Sequence, residues 1–264
     1  MLSREENELL TRTGAGTPMG ELMRRYWIPA LFADQLAERD GPPVRVKLLG
    51  ERLVAFRDTE GRIGLLDERC PHRTASLFFG RNEECGLRCV YHGWKFDVAG
   101  NCVDQPSEPE GSNFRHKVKV TSYPCVERGG LIWTYMGPPQ MKPAFPEIEW
   151  TQVPATYRVV TRHMQECNWL QALEGGFDVT HLAFLHRGTA DVLHSRPFHV
   201  PSRYEVVRAD FGLISASGRE TPDGMSWFAN PMLMPFHKII SVEPLGAHAW
   251  VPIDDENTMN YSVE

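Results

Sequence analysis

The sequence predicts an α+β protein in two parts: a small all-β domain, then an α+β domain with a helical insert on an antiparallel sheet. Three observations carry this. In the first half, the short apolar or alternating runs VRVKLL, RLVAFRD, IGLLD, WKFDV and GLIWTYMG succeed one another between turn residues. A proline-rich stretch, GPPQMKPAFPEIEW, then interrupts the pattern and reads as a linker. Beyond it, the strand-like runs TYRVVTRHM, YEVVR, FGLISASG, KIISV and HAWVPI flank one helix-like stretch from Glu166 to His186.

Each element has a local reason. Residues 1–36 form an N-terminal helical segment. Thr17 offers a capping hydroxyl and Pro18 suits the first helical position. Met19, Leu22, Met23 and Tyr26 repeat at helical spacing, and Pro29 ends the run. Residues 37–140 form the all-β domain, with turns at Gly50-Glu51, at 58–61 and at 99–101. Residues 141–152 are the linker and 153–264 the second domain, whose helix is expected to break at Gly175-Gly176.

Composition bounds the function. The chain has 264 residues, 42% of them hydrophobic and 23% charged, which is ordinary for a globular protein. A net charge of −6 argues against a nucleic-acid partner. No apolar run approaches bilayer length, and MLSREENELL has no secretory apolar core, so a cytoplasmic protein is expected. Six cysteines in a chain of this size are read as thiols rather than three disulfides.

Cys70, His72, Cys89 and His92 carry the chemistry. They read CPHR and CVYHGWKF, giving C-x-H-x16-C-x2-H. Two thiolates can hold one iron and two imidazoles the other in a [2Fe-2S] cluster. Neutral imidazoles in place of anionic thiolates raise the reduction potential, which suits a one-electron relay. Tetrahedral zinc is the plainer reading of two Cys and two His, but zinc pairs usually segregate as C-x2-4-C and H-x3-5-H. Here each half is mixed. The segment resembles Rieske proteins nearly residue for residue, and Arg73, Gly93 and Trp94 match residues that flank the ligands there. The two ligand loops are expected at hairpin tips. Cys85, Cys102, Cys125 and Cys167 are read as small buried apolar residues, with Cys85 excluded as a ligand because no histidine follows it closely.

The helical insert, QECNWLQALEGGFDVTHLAFLHRG, supplies a second candidate centre in Asn168, Asp178, His181 and His186. Two histidines and a carboxylate on one face of ferrous iron leave the other face open for dioxygen and substrate. On a straight helix His181 and His186 would diverge by about 140°. They converge only if the helix bends, bulges or ends between them. Asp178, three residues before His181, can accept the second ring N–H of a ligating histidine.

The order of the two sites resembles that of Rieske non-heme iron oxygenases, the terminal oxygenase (alpha) components of ring-hydroxylating systems. CVDQPSEP, GLIWTYMGPP and WVPIDDENT look most like the phthalate dioxygenase branch. The resemblance implies that residues 37–140 are a Rieske domain and 153–264 a mononuclear-iron catalytic domain. It implies that His181 and His186 bind Fe(II), and that Asn168 lies near it. Asp178 would link the iron to a Rieske histidine of a neighbouring subunit in a ring of subunits. Electrons would come from NADH through a separate reductase, to hydroxylate a small aromatic compound such as phthalate with dioxygen. The alternatives are a Rieske monooxygenase, an O-demethylase, or an electron carrier without a complete iron site.

One departure matters. The family's third iron ligand is an aspartate on a later helix, and nothing among Asp191, Asp210, Asp223, Asp254, Asp255 and Glu256 matches its setting. The catalytic domain is therefore expected to be incomplete, the sequence truncated, and the fragment redox-active without oxygenating. His163, His194, His199, His237 and His248 are read as structural. The basic run 115–119 is read as a solvated strand edge or a reductase dock. Arg203, Arg208 and Arg219 are candidates for a substrate carboxylate.

Overall fold

Nearly every strand of the protein pairs with its neighbour in sequence, so the architecture follows from local hairpins. The computed structural model describes residues 2–186, 200–240 and 246–264. It divides into two units, Met1–Tyr157 and Arg158–Glu264. Asp191, His194 and His199 lie outside the described residues.

The first unit begins with α1 (Arg4–Thr11) and α2 (Pro18–Met23). Ser3 and Glu6 form a reciprocal capping box on α1, and the Thr17 hydroxyl accepts from Gly20 N–H at the start of α2. The expected helix thus starts at Pro18 but stops at Met23, well before Pro29. Arg24 fixes that end: its buried guanidinium donates to the carbonyls of Thr13, Gly20 and Leu49 and pairs with Glu51 at 2.8 Å. Residues Trp27–Phe32 are instead strand β1, and the register shifts between Pro29 and Leu31. Proline is tolerated there because β1 is an edge strand with a bulge.

Strands β2 (Val44–Leu48), β3 (Glu51–Arg57) and β4 (Ile63–Asp67) make one three-stranded sheet. Leu48 pairs with Glu51, so the tight turn is Leu49-Gly50, one residue earlier than expected, with both φ positive. Strands β5 (Arg81–Glu83), β6 (Gly86–Arg88), β7 (Lys95–Phe96) and β8 (Cys102–Asp104) make a four-stranded sheet. Strands β9 (Cys125–Arg128) and β10 (Leu131–Tyr135) complete a second three-stranded sheet with β1. One core cluster joins Val54, Phe56, Leu66, Leu77, Leu87 and Phe96 to Cys70 and Cys89. Most of the basic run is not a strand edge: Phe114–Lys117 is an exposed 3-10 turn, and exposed Lys119 forms a single bridge to Asn101.

The second unit is one seven-stranded antiparallel sheet with helices. It contains β11 (Val160–Gln165), α3 (Trp169–Phe177), α4 (Leu182–Leu185), β12 (Arg203–Ala209), β13 (Gly212–Thr221), β14 (Gly224–Leu233), β15 (His237–Ile240), β16 (Gly246–Pro252) and β17 (Thr258–Val263). The order is β11-β17-β16-β15-β14-β13-β12, a meander closed by β11 at one edge. β14 is missing from the expected strands because Pro231 punctuates it. The helix does not break at Gly175-Gly176. α3 runs through both, and Gly176 is needed because a β-carbon there would overlap the Trp250 ring. No helix among the described residues is long and apolar enough to cross a membrane.

Candidate metal centres

Two loops of the first unit share one backbone plan. Cys70 N–H donates to the Ala75 carbonyl and Thr74 N–H to the Cys70 carbonyl, both at 2.9 Å. Cys89 N–H donates to the Trp94 carbonyl at 2.8 Å and Gly93 N–H to the Cys89 carbonyl at 3.0 Å. Only the second loop is a hairpin tip, joining the paired strands β6 and β7. The first joins β4 to β5, which lie in different sheets, so the expectation of two hairpin tips holds for one loop.

The loops bring like ligands together. Cys70 and Cys89, both buried, lie within hydrogen-bonding reach of each other. Burial and the neighbouring Cys89 thiol push the Cys70 thiol up to about 11, opposed by the backbone N–H groups of His72 and Arg73 aimed at its sulfur. The His72 and His92 rings lie 4.5 Å apart at 64°. Trp94 of the second loop stacks on His72 of the first at 4.4 Å and 8°, and its indole N–H donates to Ser107. Partial burial, then His92 and Arg73, hold the His72 imidazole below its usual value. Arg88 braces the second loop, donating to the Gly93 carbonyl and Asp104 at 2.7 Å each and to Glu83 at 2.6 Å.

This arrangement fits a [2Fe-2S] group better than zinc. His72 Nδ1 is buried without a hydrogen-bond partner among the described residues. Among those residues no three His, Cys, Asp or Glu side chains converge on one point. A four-coordinate zinc would need four to converge. A two-iron cluster needs a thiol pair on one side and an imidazole pair on the other. Cys85 is out of reach, in the tight Glu84-Cys85 turn at the opposite end of β6, where its N–H donates to Thr59. Cys102 is buried as expected, whereas Cys85, Cys125 and Cys167 are only half-buried.

In the second unit, α3 ends at Phe177 and α4 begins after His181. His181 and His186 flank the single turn of α4, and their rings lie 5.3 Å apart at 53°. The helix ending before His181 and restarting as one turn gives the convergence that a straight helix would prevent. Asp178 Oδ2 lies 3.6 Å from His181 Nδ1, across this break rather than along a helix face. Thr180 N–H donates to Asp178 Oδ1 at 2.8 Å and, with His181, holds its carboxyl below the usual range. His181 and His186 could hold an iron, but no third acid joins them among the described residues. Asp254 is engaged in its turn, accepting from Glu256 and Asn257, as expected.

Asn168 caps α3, accepting from Leu170 N–H at 3.0 Å and donating to the Asp255 carbonyl at 2.8 Å, with Asp178 at the other end of the helix. Arg203 is exposed, paired with Glu205 at 2.7 Å, and Arg208 is exposed as well. The sequence reading passed over Asn230 and Lys238. The available signal was a cation inside the apolar run PFHKIISV, on a strand of a half-buried sheet.

Comparison with known proteins matches this geometry. Residues 26–124 match the Rieske [2Fe-2S] domain, and residues 134–196 match the family described as LigXa C-terminal domain like. The 3-chlorobenzoate-3,4-dioxygenase oxygenase subunit of Comamonas testosteroni is 43% identical over 99% of this chain and 63% of its own length. The chain carries a Rieske [2Fe-2S] domain and is similar over nearly its whole length to oxygenase subunits that carry one. The phthalate 4,5-dioxygenase oxygenase subunit of Pseudomonas putida is 50% identical over 70% of this chain and 42% of its own length. The chain thus spans less than two thirds of these relatives. Among solved structures, dicamba monooxygenase bound to dicamba shares the fold, with TM-score 0.72 and 22% identity over 91% of this chain and 76% of its own. Pseudomonas putida CBB5 NdmA with caffeine has TM-score 0.71 and 26% identity over 92% and 74%.

Proposed function

We propose that this chain is the terminal oxygenase polypeptide of a system that hydroxylates an aromatic compound, an aromatic carboxylate in the first instance. The overall change is arene plus dioxygen plus two electrons and two protons, giving a cis-dihydrodiol. A [2Fe-2S] group held by Cys70, His72, Cys89 and His92 would supply one-electron relay, and a ferrous ion held by His181 and His186 would supply dioxygen activation. Cys70 and Cys89 bind as thiolates, so loading the site releases protons. The backbone N–H groups of His72 and Arg73 stabilise the Cys70 anion. Trp94 fixes the plane of the His72 ring, and Arg88 fixes the second loop. Asp178, exposed at the break, would orient His181 and, in a ring-shaped oligomer, link it to a Rieske histidine of a neighbouring subunit. Electrons come from NADH through a separate reductase.

The observation that carries this reading is His72: its ring is clamped by Trp94 beside His92, and its Nδ1 is buried without a hydrogen-bond partner among the described residues. The names of the relatives support an aromatic carboxylate, since two of them act on 3-chlorobenzoate and phthalate. The purified protein should be red-brown and contain iron and acid-labile sulfide. Cys70→Ser or Cys89→Ser should abolish the colour and Cys85→Ser should leave it. Bleaching by Cys85→Ser, with Cys70→Ser still coloured, sinks the ligand assignment.

A second reading is an electron carrier, favoured by the absence of a third acid beside His181 and His186 among the described residues. Substrate-dependent incorporation of dioxygen, with reductase and NADH present, separates the two.

A further inference from the structure

One face of the second sheet carries a polar row beneath the helical insert. Leu213 pairs with Met232, Met232 with Lys238, Lys238 with His248, and His248 with Ser262. Directly paired residues in antiparallel strands point to the same side, so this row shares one face. Asn230 and Ser215 pair with each other two residues along and lie on that face too.

The insert crosses this face. Lys238 Nζ donates to the Gly176 carbonyl, and Gly176 packs on the Trp250 ring. Four residues later, Thr180 Oγ1 lies 2.6 Å from the hydroxyl of Tyr204 on β12. Residues 177–179 therefore run between two anchors on this face, Lys238 of β15 and Tyr204 of β12, immediately before His181. Asn230 and Ser215 lie on the two strands between those anchors.

Asn230 is 1% exposed, and neither its amide nitrogen nor its amide oxygen has a hydrogen-bond partner among the described residues. Leaving both ends of a buried amide unmade is costly, and such a group calls for a missing partner. Lys238, diagonal to it, is half-buried. An ammonium has three donors, and Gly176 takes one, leaving two. Burial lowers Lys238 to about 8, which still leaves it mainly charged at neutral pH. The surroundings are apolar: Met232, Trp250 and the Phe177 ring, 5.5 Å from Lys238 Nζ.

We propose that Lys238 and Asn230 form the subsite that receives the carboxylate of an aromatic substrate, with the ring lying against Met232 on the same face, beside the break that presents His181. This rests on the oxygenase reading. It replaces the arginines as the anion partner: the ammonium and the Asn230 amide N–H donate to the carboxylate oxygens, and the amide carbonyl accepts from a second polar group or water.

Calorimetric binding of benzoate and methyl benzoate to the metal-loaded protein tests it. The wild type should bind benzoate on the order of 10-fold tighter than its ester, a difference of about 1.4 kcal/mol. Lys238→Met and Asn230→Leu should each abolish that preference while leaving ester binding in place, and Lys238→Arg should keep it. Should Asn230→Leu fail to fold, Asn230→Asp serves, since the added anion should weaken benzoate alone. An unchanged preference in folded Lys238→Met overturns the subsite. Substrate-dependent incorporation of dioxygen by the same samples, with reductase and NADH, judges the oxygenase reading separately: incorporation with no carboxylate preference loses only the subsite, and no incorporation with no preference loses both.

Discussion

Thr74 and Gly93 occupy one position in two copies of the same loop. Each follows a buried cysteine by four residues, donates its N–H to that cysteine's carbonyl and takes a positive φ, 56° for Thr74 and 77° for Gly93. The two histidines do not share a position, since His72 is two residues after its cysteine and His92 three. One backbone plan therefore delivers imidazoles from two different places, and the Trp94–His72 stack ties the copies together.

The equivalence predicts unequal responses to substitution. A β-carbon at Gly93 would lie 2.7 Å from Pro106 Cγ, and its φ is unfavourable for any other residue. Gly93→Ala should cost about 1–2 kcal/mol or more and lower iron content. Thr74→Gly, which relieves a left-handed β-branched residue, should change stability by less than about 1 kcal/mol. Thermal denaturation with iron analysis measures both.

Gly176→Ala should destabilise the second unit. Helix propensity favours alanine by about 1 kcal/mol, but overpacking against Trp250 costs about 1–3 kcal/mol. A stabilised variant in chemical denaturation would show that α3 does not sit on Trp250 as described.

Asn168→Ala should lose about 1 kcal/mol of stability through the lost cap. Because Asn168 caps the far end of α3, iron bound at His181 and His186 should be unaffected, as metal analysis can check. Selective loss of that iron would restore a role near the metal.

Stability should also fall in acid through His237. It is buried, and burial lowers its imidazole from 6.5 to about 4. The fold therefore favours the neutral ring, and the unfolded chain binds the extra proton. The stabilisation is complete above about pH 6.5 and is lost as pH falls through about 4, about 3 kcal/mol in all. A titrating unfolding midpoint in the wild type that flattens in His237→Leu is the expected result.

The chemistry was legible where residue types are scarce. Cys70, His72, Cys89 and His92 form a pattern few other functions require, and the strands around them announce themselves by alternation. Features that depend on a partner from elsewhere in the chain were hidden. Gly175-Gly176 reads as a break until Trp250 is seen filling the space beside Gly176. Asn168 attracts notice beside the histidines in sequence, and its bonds to Leu170 and Asp255, which make it a helix cap, are seen only in the fold. Pro231 conceals a strand that only its pairing with β13 reveals. Asn230 carries no signal in sequence, because its significance is the partner it lacks.

The contact between Gly176 and the Trp250 indole works as an index mark. A helix resting on a smooth apolar sheet could slide by a turn, about 5.4 Å, with little change in buried surface. Here Gly176 sits over the indole, and one turn back Ala172 and Leu173 both carry a β-carbon that would meet it, so the helix resists a slide by a turn. His181 and His186 follow that mark at a fixed chain distance, and their placement is therefore gauged from the sheet below them.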